Sequence, residues 1–277
     1  MLAPLRVSVA ALADQRQGEG WCLKHRWRTA QRERIGTQES VRNDHFLALF
    51  AVSFLAACPA AWAADCVILL HGLARTSSSM DKMAEVFEER GYLVANVDYP
   101  SRKFRVEELA ALAVESGLAK CPSESVKHFV THSLGGILVR YYLEHGKIPS
   151  LGRVVMLAPP NQGSEIVDNY RNIPGFEMIN GPAGLQLGTD EASIPLKLGP
   201  VNYEVGIVAG RETFNPILSQ FLPNPDDGKV SVENTKVEGM KDFIVVPHSH
   251  PFIMQAPVVI EHAVSFIESG WFVHDAP

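Results

Sequence analysis

Between Cys66 and Ala158 the chain keeps alternating two kinds of segment. CVILL (66–70), YLVANVDYP (92–100), VKHFVTH (126–132) and RVVMLA (153–158) are short apolar runs that read as strands. MDKMAEVFEER (80–90), VEELAALAVESGLAK (106–120) and GGILVRYYLEH (135–145) lie between them and are apolar on one face, as helices are. Met80, Met83, Val86 and Phe87 share such a face, and Gly91 and Gly146 supply helix stops. Continuous apolar strands are buried on both faces. The alternation therefore predicts an α/β fold: a mostly parallel central sheet, right-handed crossovers and helices on both faces. Two more strands are predicted at 203–209 and 242–247, and a closing helix at 258–268. Before them, residues 161–200 are rich in Gly and Pro and read as an excursion across the strand ends, a minimal lid with short helical pieces.

The N-terminal part has a different character. Phe46–Ala57 is a twelve-residue run of apolar or small residues, too short to span a bilayer. Pro59 breaks it, and Ala61-Trp62-Ala63 is an A-x-A cleavage pattern. Residues 1–63 thus read as a leader: a signal peptide over about 41–63, preceded by an over-extended reading frame over 1–40. Leu55-Ala56-Ala57-Cys58 also resembles a lipobox, in which Cys58 would carry a lipid anchor. The expected mature protein is a single domain over 64–277, periplasmic or secreted, with a lipid-anchored form as the alternative. Cys66 and Cys121 are the two cysteines left in it, an even number that predicts a disulfide in an exported chain. Residues 1–63 hold 8 Lys/Arg and 5 Asp/Glu, which leaves 17 and 26, a net of −9, for the remainder. That balance gives no support to nucleic-acid binding.

Ligands of parallel sheets bind at the carboxyl ends of the strands. The chemistry found there begins with Ser133 in FVTHSLGGILVRYY, between a predicted strand and a predicted helix. The nucleophile elbow, G-x-S-x-G, needs that context. Here Thr131 stands at the first glycine, while Gly135 and Gly136 follow the serine. The turn would aim the Leu134 N–H at a developing oxyanion, and the loop after the first strand would add the Leu73 N–H. A serine nucleophile needs a base, and the base needs an orienting carboxylate. PNPDDGKVSV supplies Asp227, in a turn before Gly228, with Asp226 as the alternative. VVPHSHPF supplies His248 and His250, which spacing does not separate. A zinc site at His248-x-His250 lacks a third ligand at suitable spacing, so no metal is expected.

These segments resemble the α/β-hydrolase superfamily, in particular its small bacterial lipase- and esterase-like members. VILLHGLART is similar to their oxyanion strand and loop, FVTHSLGGILVRYY to their elbow, LAPPNQGSEIVD to the segment after the next strand, DDGKVSV to the acid segment, and HSHPFIM to the histidine segment. The resemblance covers about 65–270 and implies the α/β-hydrolase fold. It implies that His250, the histidine before the aromatic segment, is the base. It departs at Thr131 and at Asn161, where lipases often have histidine. The excursion is shorter than a full lipase lid, which implies accessible acyl esters rather than fat droplets. The implied activity is an exported carboxylesterase with a Ser133–His250–Asp227 triad, an acyl-enzyme intermediate and no cofactor. Its partner would be a small-molecule or lipid acyl ester, with membrane association through that substrate or through Cys58. Thioester hydrolysis or acyl transfer by the same triad, and a non-catalytic envelope binding protein on this scaffold, are the alternatives.

Overall fold

The computed structural model describes residues 64–213 and 216–274. The leader reading, including Cys58, lies outside the described residues.

Six parallel strands form one sheet: β1 (Cys66–Leu70), β2 (Leu93–Val97), β3 (Lys127–His132), β4 (Leu151–Leu157), β5 (Val205–Gly210) and β6 (Asp242–Val246). Their order is β2-β1-β3-β4-β5-β6. Eight α-helices among the described residues accompany them: α1 (Asp81–Glu89), α2 (Val106–Leu118), α3 (Leu134–His145), α4 (Glu165–Tyr170), α5 (Phe176–Leu185), α6 (Ile194–Lys197), α7 (Pro216–Ser219) and α8 (Pro257–Ser269). The predicted parallel sheet is borne out, and all six strands fall where they were expected to within a few residues. The largest strand shift is at β2, which ends three residues early, while β4 begins two residues early and β5 two residues late. Gly152 of β4 has room only for hydrogen, because a Cβ there would come within 2.5 Å of the His128 ring.

Alternation along each strand separates two apolar cores. Ile68 and Leu70 of β1, Phe129 of β3 and Met156 of β4 face α2 and α3. Val67 and Leu69 of β1, Val130 of β3 and Leu157 of β4 face α1 and α8. Close helix approach is set by missing side chains. A Cβ at Gly117 of α2 would lie 2.4 Å from Ile68, and one at Gly206 of β5 would lie 2.6 Å from Phe266 of α8. Pro257 opens α8 and Gly270, at φ 83°, closes it.

Cys66 and Cys121 form a disulfide with Cα atoms 5.8 Å apart across a sequence separation of 55. It joins the start of β1 to the connection before β3. Closing a loop of that length stabilises by about 4 kcal/mol in the chain-entropy account. No helix among the described residues is long and apolar enough to cross a membrane.

The chain runs from β1 outward to β2, then returns past β1 to β3 and continues in the other direction. The crevice between β1 and β3 is thus the topological switch point, where ligands of such sheets sit. The loop after β1 and Ser133 after β3 flank it.

Candidate active site

Ser133 sits between the last residue of β3 and the first of α3 with φ 51° and ψ −118°. A positive φ at a non-glycine costs roughly 1–3 kcal/mol and persists where the surroundings impose it. Here they do. The Ser133 N–H donates to the Leu157 carbonyl at 2.9 Å, and its carbonyl accepts from Gly136 N–H at 3.0 Å. Gly135 lets α3 start against the end of β1: a Cβ there would be 2.7 Å from the Leu70 oxygen and 3.0 Å from that of His71. The threonine in place of the first elbow glycine is also accounted for. Thr131 is fully buried and its hydroxyl donates to the Val155 carbonyl at 3.3 Å. A Cβ on Gly136 would lie 3.3 Å from that hydroxyl, so the second glycine after the serine makes room for Thr131.

The other polar groups reach Ser133 from distant parts of the chain. His250 Nε2 is 3.0 Å from Ser133 Oγ, and His250 Nδ1 is 2.8 Å from Asp227 Oδ2. Asp227 is completely buried, and its Oδ1 accepts from Lys229 N–H at 3.0 Å and Val230 N–H at 2.8 Å. The Asp227 carbonyl also accepts the His250 N–H at 3.0 Å, so side chain and backbone both tie the two residues. Gly228, at φ 92°, makes the turn that folds Asp227 back on these amides.

The alternatives lie elsewhere. Asp226 points away: its carboxylate accepts from Gly228 N–H at 2.7 Å and from the Ser219 hydroxyl. His248 does not line the cavity at Ser133, whereas His250 does. The structure brings Ser133, His250 and Asp227 together and leaves Asp226 and His248 out. No cluster of three or more metal-ligating side chains occurs among the described residues.

Leu134 is the first residue of α3, so its N–H is among the helix's unpaired N-terminal donors. Leu73 lines the cavity wall. The loop that carries it is held from behind by His71 and Tyr99. Their rings stack at 4.0 Å, the Tyr99 hydroxyl donates to the His71 carbonyl, and His71 Nδ1 bonds Gly72 O at 2.8 Å while Nε2 accepts from Tyr99 N–H at 3.3 Å. Burial lowers the His71 pKa and keeps that ring neutral.

Three supporting residues had no sequence signal that assigned them. His132 Nε2 donates to the His250 carbonyl at 3.0 Å, and its ring lies 4.9 Å from that of His250. Burial, then the neighbouring His250 charge, hold its pKa well below the ordinary value. Arg75 donates to the Pro251 carbonyl at 3.1 Å, across a separation of 176 residues. Arg140 of α3 is 3% exposed and faces Asn161, donating to its carbonyl at 3.0 Å and its Oδ1 at 3.1 Å. Asn161 is itself fully buried and also donates to the Thr235 carbonyl at 2.8 Å. It is therefore a support of the loop rather than a residue of the cavity.

The cavity over Ser133 has a volume of about 310 Å³. One side is the strand-end platform just described. The other is the 161–200 excursion, which forms α4, α5 and α6 and contributes Ile166, Val167, Phe176, Ile179 and Leu187 to the wall. Only α5 is longer than the short pieces expected, and it is kinked at Gly181 (φ 66°) beside Pro182.

No protein-family model matches the sequence, and no curated protein matches it. Solved structures do. A lipase of Bacillus licheniformis in its propeptide form superposes with a TM-score of 0.60 at 21% identity, over 77% of this chain and 52% of that one. The mature form of that lipase gives 0.54 at 21% identity, over 74% and 89%. A phospholipase of Legionella pneumophila gives 0.56 at 17% identity, over 72% and 56%. The chain has the α/β-hydrolase fold. It spans about half the length of the propeptide-form lipase, and the likeness at these identities is one of fold. In α/β-hydrolases the elbow serine, an acid and a histidine follow in that chain order, which is the order of Ser133, Asp227 and His250 here.

Proposed function

We propose that this α/β-hydrolase fold protein is an exported serine hydrolase that cleaves carboxylic esters. The observation that carries the reading is His250, whose two ring nitrogens reach Ser133 Oγ at 3.0 Å and Asp227 Oδ2 at 2.8 Å. A neutral imidazole with Nδ1–H donated to a buried carboxylate has Nε2 free to accept the serine proton.

Ser133 Oγ attacks the acyl carbon while its proton passes to His250 Nε2. Asp227 holds the ring and stabilises the imidazolium. The oxyanion takes hydrogen bonds from the Leu73 and Leu134 N–H groups. Collapse breaks the bond to the alcohol oxygen, which leaves with the proton from His250 Nε2. Water then attacks the acyl-serine, gives its proton to the same nitrogen and releases the acid as Ser133 recovers its own. The apolar wall from α4 and α5 suits the acyl chain. Export is supported by the Cys66–Cys121 disulfide and the leader pattern.

A fluorophosphonate probe tests the reading. Stoichiometric labelling is expected, with the adduct located on Ser133 by mass spectrometry and absent from Ser133→Ala. Folded protein that stays unlabelled refutes it.

A further inference from the structure

A second cleft, of about 500 Å³, adjoins the cavity and shares Arg75 with it. Its walls are Thr76, residues 98–103 and Met178, and they carry the cations Arg75, Arg102 and Lys103. None of the three makes an ion pair among the described residues. What joins them is a shared concave surface on a chain with an acidic excess. Arg90 bridges to Glu261 and Glu268, Arg153 to Glu204, Arg171 to Asp168 and Asp190, and Lys241 to Glu204. The carboxylate that faces the cleft, Asp98, accepts the Ser77 N–H at 3.1 Å and lies 3.6 Å from His71.

The cations stand on fixed backbone. Lys103 N–H donates to the Pro100 carbonyl at 2.8 Å, and Ser101 Oγ accepts the Ala74 N–H at 3.1 Å. Gly181 of the kinked α5 packs directly on Arg102, whose carbonyl oxygen would be 2.1 Å from a Cβ there. Clustered like charge in a concave surface focuses the field and draws in anions. Guanidinium forks match phosphate oxygens in particular.

We propose that this cleft binds a phosphate carried on the alcohol side of the ester, which rests on the esterase reading above. The wall built by α4 and α5 is apolar and takes the acyl chain, and the cavity turns cationic at Arg75. An ester lying across Ser133 with its chain under the excursion therefore extends its alcohol toward Arg75, Arg102 and Lys103. The substrate class is an acylated alcohol bearing a phosphate.

The test compares the butyrate ester of glycerol 3-phosphate with glycerol monobutyrate. At low ionic strength, kcat/KM for the phosphorylated ester should be about tenfold higher, and the ratio should fall several-fold on going to about 0.5 M salt, because exposed charges are screened. Changing both Arg102→Gln and Lys103→Gln should lower the ratio by about fivefold, since each exposed ion pair contributes modestly. Equal kcat/KM for the two esters, or a preference indifferent to salt, overturns the proposal while turnover of the neutral ester leaves the esterase reading standing. Turnover of neither ester, together with no fluorophosphonate labelling, overturns both. Vesicles of phosphatidate identify the source of the phosphate: salt-sensitive cleavage there supports a lipid headgroup, and such cleavage of the soluble ester alone supports a soluble phosphoester.

Discussion

The two walls of the cavity are built by different means. The platform of strand ends carries Ser133 directly after β3, and His250 and Asp227 on loops tied to each other by backbone and side-chain hydrogen bonds, and all three are buried. The excursion opposite carries the apolar wall on short helices and leaves much apolar surface exposed: Ile173 is 50% exposed, Met178 80% and Ile179 58%. Its inner side packs Val167, Ala183, Leu187, Ile194 and Leu198 into the core shared with α2 and α3, and a few polar anchors hold its ends. The platform's precision thus comes from buried polar contacts that converge on Ser133, and the excursion's from apolar packing and the Arg140 anchor. The first should not tolerate loss of the Asp227 charge, and the second should lose position before it loses chemistry.

The sharpest break is within the platform, at two adjacent aspartates. Asp227→Asn should lower kcat by about 10⁴-fold with little change in KM, because the amide offers a donor where His250 Nδ1–H needs an acceptor. Asp226→Asn should leave kcat within about tenfold. It should lower stability by about 1 kcal/mol, because Gly228 N–H and the Ser219 hydroxyl lose a charged acceptor. Steady-state kinetics beside thermal melts reads both. Equal losses of activity would mean that the turn, rather than the Asp227 carboxylate, matters.

The excursion is broken from underneath. Arg140 donates at one end to Asn161 and at the other to the Leu198 and Gly199 carbonyls, both at 3.1 Å, so one guanidinium on α3 holds both ends of the excursion. It has no carboxylate partner among its hydrogen bonds, and burial lowers its pKa. Arg140→Met keeps much of the apolar stem and orphans three buried acceptors, the Asn161 and Leu198 carbonyls and Asn161 Oδ1, each worth about 1–3 kcal/mol. Stability should fall by about 3–5 kcal/mol. In the folded fraction, KM should rise more than kcat falls, and limited proteolysis should cut first within 171–180. A variant whose kcat fell with KM unchanged would place the effect on Ser133 through α3 instead.

The same contrast explains what the sequence disclosed. The sheet, its helices and the elbow were legible because hydrophobic period, Gly135 and Gly136 act within one turn of the chain. The acid and base segments were legible as order and type, but not to the residue. Asp227 differs from Asp226 only in which way a turn sends its side chain, and His250 from His248 by a backbone bond to Asp227 over 23 residues. The supports were not legible at all. His132, Arg75 and Arg140 act through carbonyls of distant residues, and a carbonyl has no sequence signature. The same is true of the unpaired state of Arg102 and Lys103, since ion pairing is a property of the folded surface.

The smallest expected effect separates the two walls by pH. His71 and His132 belong to the platform and His128 lies near the start of β3, and burial lowers the pKa of each below the ordinary 6.5. Each is neutral when folded: His128 Nδ1 accepts the Arg153 N–H at 2.9 Å, as His71 Nε2 accepts from Tyr99. The excursion at 161–200 contains no histidine. Above pH 6.5 both states are neutral at these sites and the contribution to stability is flat. Below it the unfolded chain takes up protons that the folded chain refuses, so stability falls as pH falls, by up to about 1.4 kcal/mol per unit for each site. Carboxylates held low by partners, such as Glu204 beside Lys241 and Arg153, are lost only in a more acidic range, below the ordinary 4.5. Between pH 7.5 and 5 the melting temperature should therefore decline through the histidines, and hydrogen exchange should speed up in β1 and β3. The gap between wild type and Arg140→Met should stay constant across that range, because the excursion contains no histidine. A gap that widens on acidification would tie the two walls together and break the comparison.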